Sequence, residues 1–398
     1  MTDMRGTTGK GVPDEVGIKR YGIDELQNLV SALGEPVYRA TQIVEWLYAR
    51  GVGEYSEMTN LPQSLRNALA ASQPLYTPRI VNRQVSQDGT RKYLLELVDG
   101  VCVETVGIPD RQRLTVCFST QAGCSMGCPF CATGRLGLIR QLSAGEMLDQ
   151  LTTVSRDFDQ RITNVVAMGE GEPFANYNAT LEALRLMNHP SALNIGARHI
   201  TVSTAGIIPG IMSLAAEPEQ FRLAVSLHSA RQSTRNILMP GLRAYDLDSL
   251  HQTCMSYCQA SGRRISIEFL LIDGMTDTDM EIDALIGFCE DLNCHVNLIL
   301  MNGIDDVRGA GAASGSGAAP GSGAASGAGA ASGSGAASEA GAVSGAGAAS
   351  GAAMHFRRSS LKRAQEVRNK LLAADIKTSL RRSRGSDIAA ACGQLAGG

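Results

Sequence analysis

Three cysteines stand close together in this chain, Cys124, Cys128 and Cys131, with the spacing C-x3-C-x2-C. Three thiolates can hold a 4Fe-4S cube and leave one iron without a protein ligand. A small molecule could then chelate that iron. A structural zinc ion would need four nitrogen or sulfur ligands at short paired spacings, whereas the nearest downstream His and Cys are His189 and Cys254. The spacing therefore predicts a cluster with an open coordination position.

The elements that must position these thiols alternate between strand and helix from residue 113 onward, which predicts a parallel α/β fold. Strands are predicted at 114–119, 164–168, 199–204, 223–228, 265–272 and 296–301, with a short one near 377–382. Helices are predicted at 143–158, 176–188, 206–216, 247–260, 277–291 and about 360–374. Six such strands fit an open doubly wound sheet or an incomplete barrel, and the pattern leaves both open.

Polar residues follow several of these strands where each strand ends. Ligands of parallel α/β folds gather at the carboxyl ends of the strands. After the cysteine triplet, these ends carry the run Gly169-Glu-Gly-Glu-Pro173, and then Ser203, His228 and Asn302. Each could be a helix cap, a turn or an ordinary loop residue. Their occurrence after successive strands predicts a single site.

The rest of the chain divides into segments of different character. Residues 1–20 are expected to be a disordered leader, and residues 21–77 a small helical accessory domain. The α/β domain would span residues 78–398 and begin with a hairpin around Asp99-Gly100. Residues 309–353 are almost entirely Gly, Ala and Ser, which predicts a flexible insert within that domain.

Charge is distributed unevenly over the 398 residues, whose formal net charge is -3. Residues 354–398 hold ten Lys and Arg against three acidic residues, a net charge of +7, which leaves -10 for residues 1–353. A basic end on an acidic protein suggests contact with a nucleic acid, and the alternative is an ordinary solvated helix face. Membrane-length apolar runs and a signal core are absent from the sequence, and ten scattered cysteines suit reducing surroundings, so a cytoplasmic protein is expected.

The triplet followed by Gly-Glu-Pro after the second strand is typical of radical S-adenosylmethionine (SAM) enzymes. The chain further resembles one branch, the RlmN-type adenine-2 methyltransferases of 23S rRNA and tRNA, over roughly residues 20–308 and 354–396. The motifs that carry this resemblance are Glu104-Thr-Val-Gly-Ile-Pro109, Cys117 seven residues before the triplet, Gly206-Ile-Ile-Pro-Gly210, Ser226-Leu-His228, Leu238-Met-Pro240 and the run from Arg381 to Leu395 that contains Cys392. Gly107 and Gly303 stand where relatives carry an aromatic residue and a proline.

The resemblance implies a partial six-stranded (βα) radical SAM barrel preceded by the small helical accessory domain, which would help hold RNA. It implies one 4Fe-4S cluster on Cys124, Cys128 and Cys131, and two molecules of SAM consumed per turnover. The residues that would contact SAM are Gly171, Glu172, Ser203, Ser226, Leu227, His228 and Asn302. Implied partners are 23S rRNA, tRNA and a reductase or electron donor such as flavodoxin, and the protein is expected to be a monomer that does not bind membranes.

The implied mechanism follows from carbon 2 of adenine, which has no lone pair or acidic proton and requires a radical route. Cys392 would take a methyl from a first SAM, and a 5′-deoxyadenosyl radical from a second SAM would abstract hydrogen from that methyl. The methylene radical would add to the base and join enzyme to RNA. Cys117 would then attack Cys392 and release the product as a disulfide forms. Glu104 would be the proton acceptor.

Two other functions remain open at this stage. The same five thiols would serve methylation at carbon 8 of adenine, as in related antibiotic-resistance methyltransferases. A protein of another class, an RNA-binding protein with a purely structural metal site, would also use the triplet and the basic end.

Overall fold

The described part of the chain comprises residues 17–303 and 356–396 of a computed structural model. The insert predicted over residues 309–353 lies outside it, as do residues 1–16 of the predicted leader. The end of that leader needs correction, because Gly17–Arg20 form a 3-10 helix in which Ile18 is fully buried. Burial of this apolar side chain outweighs the entropy of ordering a short segment.

Three helices form the N-terminal module: α1 (Ile23–Ala32), α2 (Tyr38–Val44) and α3 (Gln63–Ser72). α2 continues directly into a π-helix, Glu45–Ala49. Leu26 and Val30 on α1 are buried at the four-residue spacing of one helix face. They belong to a hydrophobic cluster that continues into the α/β part of the chain, so the module is packed on the rest of the fold.

Strands and helices alternate through the remainder of the described chain. The strands are β1 (Arg79–Val85), β2 (Arg91–Glu96), β3 (Cys102–Asp110), β4 (Arg113–Cys117), β5 (Gln121–Gly123), β6 (Leu138–Gln141), β7 (Asn164–Ala167), β8 (Ile200–Thr204), β9 (Arg222–Ser226), β10 (Ile265–Leu271), β11 (Cys294–Leu300) and β12 (Thr378–Arg381). The helices are α4 (Ala132–Leu136), α5 (Ala144–Phe158), α6 (Tyr177–Asn188), α7 (Ile208–Ala216), α8 (Gln232–Leu238), α9 (Leu247–Ser261), α10 (Asp279–Cys289) and α11 (Leu361–Ala373).

Strand order distinguishes between the two architectures that the sequence left open. The main sheet has the order β1-β2-β3-β4-β7-β8-β9-β10-β11-β12, and every pair from β4 to β12 is parallel. A doubly wound sheet would reverse its order at a switch point. This order never reverses, as in a barrel built from successive βα units. The predicted α/β partial barrel is confirmed, with β12 extending the six predicted strands.

The predicted hairpin is formed by β2 and β3, which pair antiparallel with β3 next to β4. Gly100 in its turn has a φ of +81°, a conformation that favours glycine. Beside it, Asp99 accepts hydrogen bonds from the buried Arg140, which also bonds Glu146 at the start of α5. Ser143 and Glu146 form the predicted capping box of α5. The hairpin is thereby anchored to the barrel.

Among residues 17–303 and 356–396, no helix combines the length and the apolar character that crossing a membrane requires.

Candidate active site

An open cavity of about 1060 Å³ lies at the carboxyl ends of the parallel strands. Its wall is built from the ends of β7 to β12, from the cysteine triplet and from the turn around Cys392. The predicted site residues that line it are Cys124, Cys128, Cys131, Gly171, Glu172, Ser203, Ser226, His228, Asn302 and Cys392. Cavities of this size hold small molecules and cofactors.

The three cysteines of the triplet occupy one loop that precedes α4. The amide of Cys124 donates to Gly137 O at 2.9 Å, and that of Cys131 donates to Cys128 O at 3.1 Å. A Cβ at Gly134 would lie 2.8 Å from the backbone N and O of Cys128, so only glycine lets α4 pack this closely on the loop. The local backbone therefore holds the loop open toward the cavity.

Burial raises the pKa of all three thiols, to about 12 for Cys124. The neighbouring Cys131 and Cys124 raise the pKa of the Cys128 thiol further. Thiolates in such a place need a bound cation. The irons of a cluster would supply that positive charge, so the donor set fits a 4Fe-4S group.

A mononuclear metal ion fits the same residues less well. Within the described ranges, no three His, Cys, Asp or Glu side chains form a group that could hold a metal ion. A structural zinc ion would need four such ligands converging on one point. A cube distributes its three thiolates over three irons and does not require that convergence.

The run Gly169-Glu-Gly-Glu-Pro173 forms the turn after β7. Gly171 has a φ of +99°, and a Cβ there would lie 2.6 Å from the side chain of Gln121. The buried carboxylate of Glu172 accepts hydrogen bonds from Ala205 N, Thr204 Oγ1 and Phe174 N, at 2.7, 2.7 and 3.0 Å. Its oxygens are thus committed to the turn after β8 and to its own turn, and they join the two strand ends that line the cavity.

Further polar groups line the cavity beyond this turn. Ser203 and Ser226 lie on neighbouring strands with their hydroxyls 3.4 Å apart. His228 is buried with a φ of +58°, and its Nδ1 accepts from Leu270 N at 3.2 Å. Burial, aided by the positive charge of Arg235, lowers the pKa of His228 to about 3, so the ring is neutral at physiological pH. A neutral ring can donate from Nε2 to a ligand.

Leu227 is the predicted SAM contact that does not line the cavity. Its side chain is fully buried in the hydrophobic core, and its amide donates to Glu268 O at 3.0 Å. Leu227 fixes the strand end from which Ser226 and His228 project.

Sequence reasoning missed two buried charges at this site. Arg235 on α8 is 2% exposed and donates to Ala205 O at 2.6 Å, to Ser226 O at 3.1 Å and to the carbonyl of Leu227, which ties the ends of β8 and β9 together. Glu268 lines the cavity, and its Oε2 has no hydrogen-bond partner among the described residues. A lone acidic residue within the apolar run Ile265–Leu271 was a signal for it.

Cys117 and Cys392 are brought together although 275 positions separate them in sequence. A second cavity, of about 800 Å³, is lined by both residues, and Cys392 also lines the first cavity. Burial and the neighbouring Cys392 raise the pKa of Cys117 to about 12. Arg381 lines this second cavity as well, and the nearby Cys392, Glu268 and Cys117 raise the pKa of its guanidinium. Both cysteines are free thiols.

Glu104 lies elsewhere. Its carboxylate pairs with Lys92 Nζ at 2.9 Å and accepts from Ala396 N at 2.7 Å. It does not occur among the described residues that line either cavity. Its role as a proton acceptor stays a prediction.

Comparison with known proteins gives two family matches. Residues 118–286 match the radical SAM superfamily, and residues 19–73 match the ribosomal RNA large subunit methyltransferase N-terminal domain. A probable dual-specificity RNA methyltransferase RlmN from Geobacillus kaustophilus is 43% identical over 305 residues, which cover 76% of this chain and 84% of the relative. The chain belongs to the RlmN family. A probable dual-specificity RNA methyltransferase RlmN from Alkaliphilus oremlandii is 36% identical over 383 residues, which cover 96% of this chain and 98% of the relative.

A solved structure agrees with this membership of the RlmN family. The radical SAM methyltransferase from Sphaerobacter thermophilus is 38% identical, with a TM-score of 0.80, over 96% of this chain and 100% of that chain. The predicted cofactors, one 4Fe-4S cluster and SAM, are those of the family and are confirmed. An RNA-binding protein with a purely structural metal site is therefore not the identity of this chain.

Proposed function

We propose that this chain methylates carbon 2 of an adenine in 23S rRNA and in tRNA, and that the methyl group passes through Cys392. The observation that carries the proposal is the position of Cys392 on the wall shared by two cavities. One cavity holds the cysteine triplet, and the other holds Cys117. The names of the relatives, dual-specificity RNA methyltransferases, supply the substrate class.

Cys124, Cys128 and Cys131 would hold the cluster, and the turn containing Gly171 and Glu172 would face SAM. Together the cluster and SAM supply, when bound, the one-electron chemistry that removes a hydrogen atom from a methyl group. The protein's contribution is placement and the exclusion of water from the reacting atoms.

Cys392 acts first, as the methyl acceptor. Its thiol loses a proton, a bond forms between its sulfur and the methyl carbon of SAM, and the SAM sulfonium leaves as the neutral thioether. Thiolate is the reactive form of cysteine. Arg381, which is half-buried and lines both cavities with Cys392, stabilises that negative charge as it develops.

Cys117 acts last, to free the product. When carbon 2 of the base becomes bonded to the carbon on Cys392, its hydrogen would leave as a proton to a base, and the unpaired electron would pass to the one-electron acceptor that the oxidised cluster would provide. The Cys117 thiolate then attacks the sulfur of Cys392. A disulfide forms, the sulfur–carbon bond breaks, and its electron pair remains on the carbon, which takes a proton. A dithiol reductant must then reduce the disulfide before the next turnover.

The substrate adenine has to leave its stack to present carbon 2 to this cavity. Unstacking is cheapest in loops and at bulged or distorted bases. The proposed substrate is therefore an exposed adenine in structured RNA.

The phosphate contacts are predicted to lie near β12 more than on α11. On α11, Arg363 pairs with Asp279 at 2.9 Å and Lys370 with Asp283 at 2.6 Å, so part of the basic end is neutralised. Arg382 is exposed, follows β12 and lines the cavity of Cys117. We expect Arg382→Gln to weaken RNA binding and to reduce the slope of log Kd against log salt by about 1.

Lys362→Gln, an exposed lysine on α11, is the matched control and should leave that slope nearly unchanged. Fluorescence anisotropy with an RNA hairpin at several salt concentrations measures both variants. Equal slopes for Arg382→Gln and the unchanged protein would contradict the placement of the RNA.

Mass analysis of nucleosides tests the proposed reaction. The chain would be expressed in a bacterial host that lacks its own RlmN, and its rRNA and tRNA would be digested. We expect 2-methyladenosine in both RNA classes. Finding 8-methyladenosine without 2-methyladenosine would show that the enzyme methylates carbon 8 of adenine, and it would overturn the proposal.

The remaining partners are proposals of the same kind. A reductase or flavodoxin-like protein would supply electrons to the cluster, and the enzyme would act in the cytoplasm as a monomer. Substrate RNA and a thiol chemistry that depends on continued reduction support this location.

A further inference from the structure

The turn that carries Cys392 is held on both sides by one buried ion pair. Lys92 on β2 and Glu104 on β3 are 2.9 Å apart, with side chains 10% and 8% exposed. Lys92 Nζ donates to Ala389 O at 3.3 Å, and Glu104 Oε2 accepts from Ala396 N at 2.7 Å. The cation therefore binds the segment before Cys392, and the anion binds the segment after it.

We infer that Lys92 and Glu104 are positioning residues that fix Cys392 between the cavity of the cysteine triplet and that of Cys117; this inference rests on the proposed function. Neither residue lines the cavities in the described part of the chain, so neither is placed to touch SAM or the base. They act on the reaction through the backbone of the turn between Ala389 and Ala396, which they hold to the β2–β3 hairpin.

The opposite side of the same turn is held by neutral hydrogen bonds from the triplet and from the end of β11. Ala132 N donates to Gly393 O at 2.8 Å, and Thr133 Oγ1 donates to Leu395 O at 2.6 Å. Asn302 Nδ2 donates to Cys392 O at 3.3 Å. The turn that contains Cys392 thus lies between the hairpin and the cysteine-triplet loop. Charged groups of the ion pair bind it on the hairpin side, and neutral groups bind it on the other side.

The hairpin is itself fixed to the site at this point. Glu104 N donates to Glu170 Oε1 at 2.7 Å, and Ser119 Oγ donates to Glu104 O at 2.6 Å. Glu170 belongs to the glycine-rich turn after β7. The position of the ion pair is therefore set by the same turn that faces SAM.

Energetics favour a role in placement over one in stability. Taking two charges out of water costs several kcal/mol per ion, and their attraction repays this only when the geometry is good. In this pair each charge makes one further hydrogen bond, and both go to the Cys392 turn. Removing Lys92 would leave Glu104 buried without its cation and would loosen both flanks of the turn.

The test compares Lys92→Met with the unchanged protein in two measurements. Hydrogen exchange of the peptide covering residues 386–396, without SAM or RNA, should become about tenfold faster. The second measurement is the rate at which Cys392 becomes methylated, monitored by the intact mass of the cluster-loaded enzyme during a single turnover. At saturating SAM this rate should fall by about 10- to 100-fold, because small misplacements of a reacting group are costly. The KM for SAM should change by less than about twofold.

Arg79→Met is the matched control, because Arg79 on β1 pairs with Glu96 of the hairpin at 2.6 Å but is exposed and, among the described residues, makes no hydrogen bond to the turn. If Lys92→Met misfolds, the double variant Lys92→Met/Glu104→Gln removes both charges and leaves neither unpaired. Either variant behaving like Arg79→Met in both measurements would overturn the inference.

Glu104→Gln separates positioning from proton transfer. A positioning residue predicts slower methylation of Cys392 and faster exchange of the turn. Methylation of Cys392 at the unchanged rate, with a block only after RNA is added, would assign Glu104 to proton transfer and overturn its positioning role. Because the exchange measurement needs neither SAM nor RNA, it still decides the inference if the unchanged protein never methylates Cys392 and the proposed function fails.

Discussion

Replacing Cys117 by alanine is expected to leave the enzyme covalently joined to its RNA. Cys392 would still accept a methyl group and still bond to the base, but no thiol would remain in place to attack its sulfur. Turnover should fall by more than about 10³-fold, as when one member of a catalytic unit is lost. A protein–RNA species that resists denaturant and disappears after nuclease treatment should accumulate on a denaturing gel.

Cys392→Ala is the paired variant, because it removes the acceptor itself. It should be as inactive as Cys117→Ala and yet form no crosslink. Since burial raises the pKa of Cys117 to about 12, release by this thiol in the unchanged enzyme should quicken as pH rises toward that value. Equal crosslinking by both variants, or by neither, would contradict the roles assigned to the two thiols.

Replacing Cys128 by alanine is expected to abolish activity by a different route. In the proposed site the triplet would provide the three protein ligands of the cluster, so losing one should leave the reconstituted protein without the brown 4Fe-4S chromophore. Formation of 5′-deoxyadenosine on reduction with SAM should fall by more than about 10³-fold. Methylation of RNA should fall with it.

Cys254→Ala controls for the general loss of a buried thiol. Cys254 is fully buried in the core and does not line the cavity. Iron content and absorbance after anaerobic reconstitution, together with thermal melting, compare the two variants. If Cys128→Ala kept the iron content and the deoxyadenosine yield of Cys254→Ala, the triplet would not be the ligand set of the cluster.

The sequence predicted the site best where several residues of one type follow a short, regular pattern. The cysteine triplet and the glycine-rich turn could be placed at one mouth because parallel strands end on the same side of a sheet. The choice between a doubly wound sheet and a barrel could not be made in this way. Strand order depends on which strand edges pair. The near-continuous hydrophobic pattern of a buried strand does not indicate which strand lies beside it.

Contacts between segments that are far apart in the chain could not be predicted from the sequence either. Lys92 and Ala389 lie 297 positions apart, and Arg381 and Glu268 are on strands that β11 separates. Single charges within strand-like runs usually face solvent. Only the fold shows that Lys92 and Glu268 are buried and that Arg381 lines the same cavity as Cys117 and Cys392.

The end of the predicted leader was wrong for a related reason. The segment Gly17–Arg20 is polar and glycine-containing, which is typical of disorder. In the fold, Ile18 is buried and Lys19 forms a buried ion pair with Asp149 on α5. Tertiary contacts ordered a segment whose local sequence gave no sign of structure.

The origin of the methyl hydrogens tests the passage of the methyl through Cys392 most directly. Cys392 would first be loaded with a trideuterated methyl group, free SAM removed, and RNA and unlabelled SAM then added for a single turnover. The account predicts 2-methyladenosine that keeps two of the three deuterium atoms, because one is abstracted and a proton replaces it. A product methyl without deuterium would come from SAM directly, and the protein would then not be its carrier.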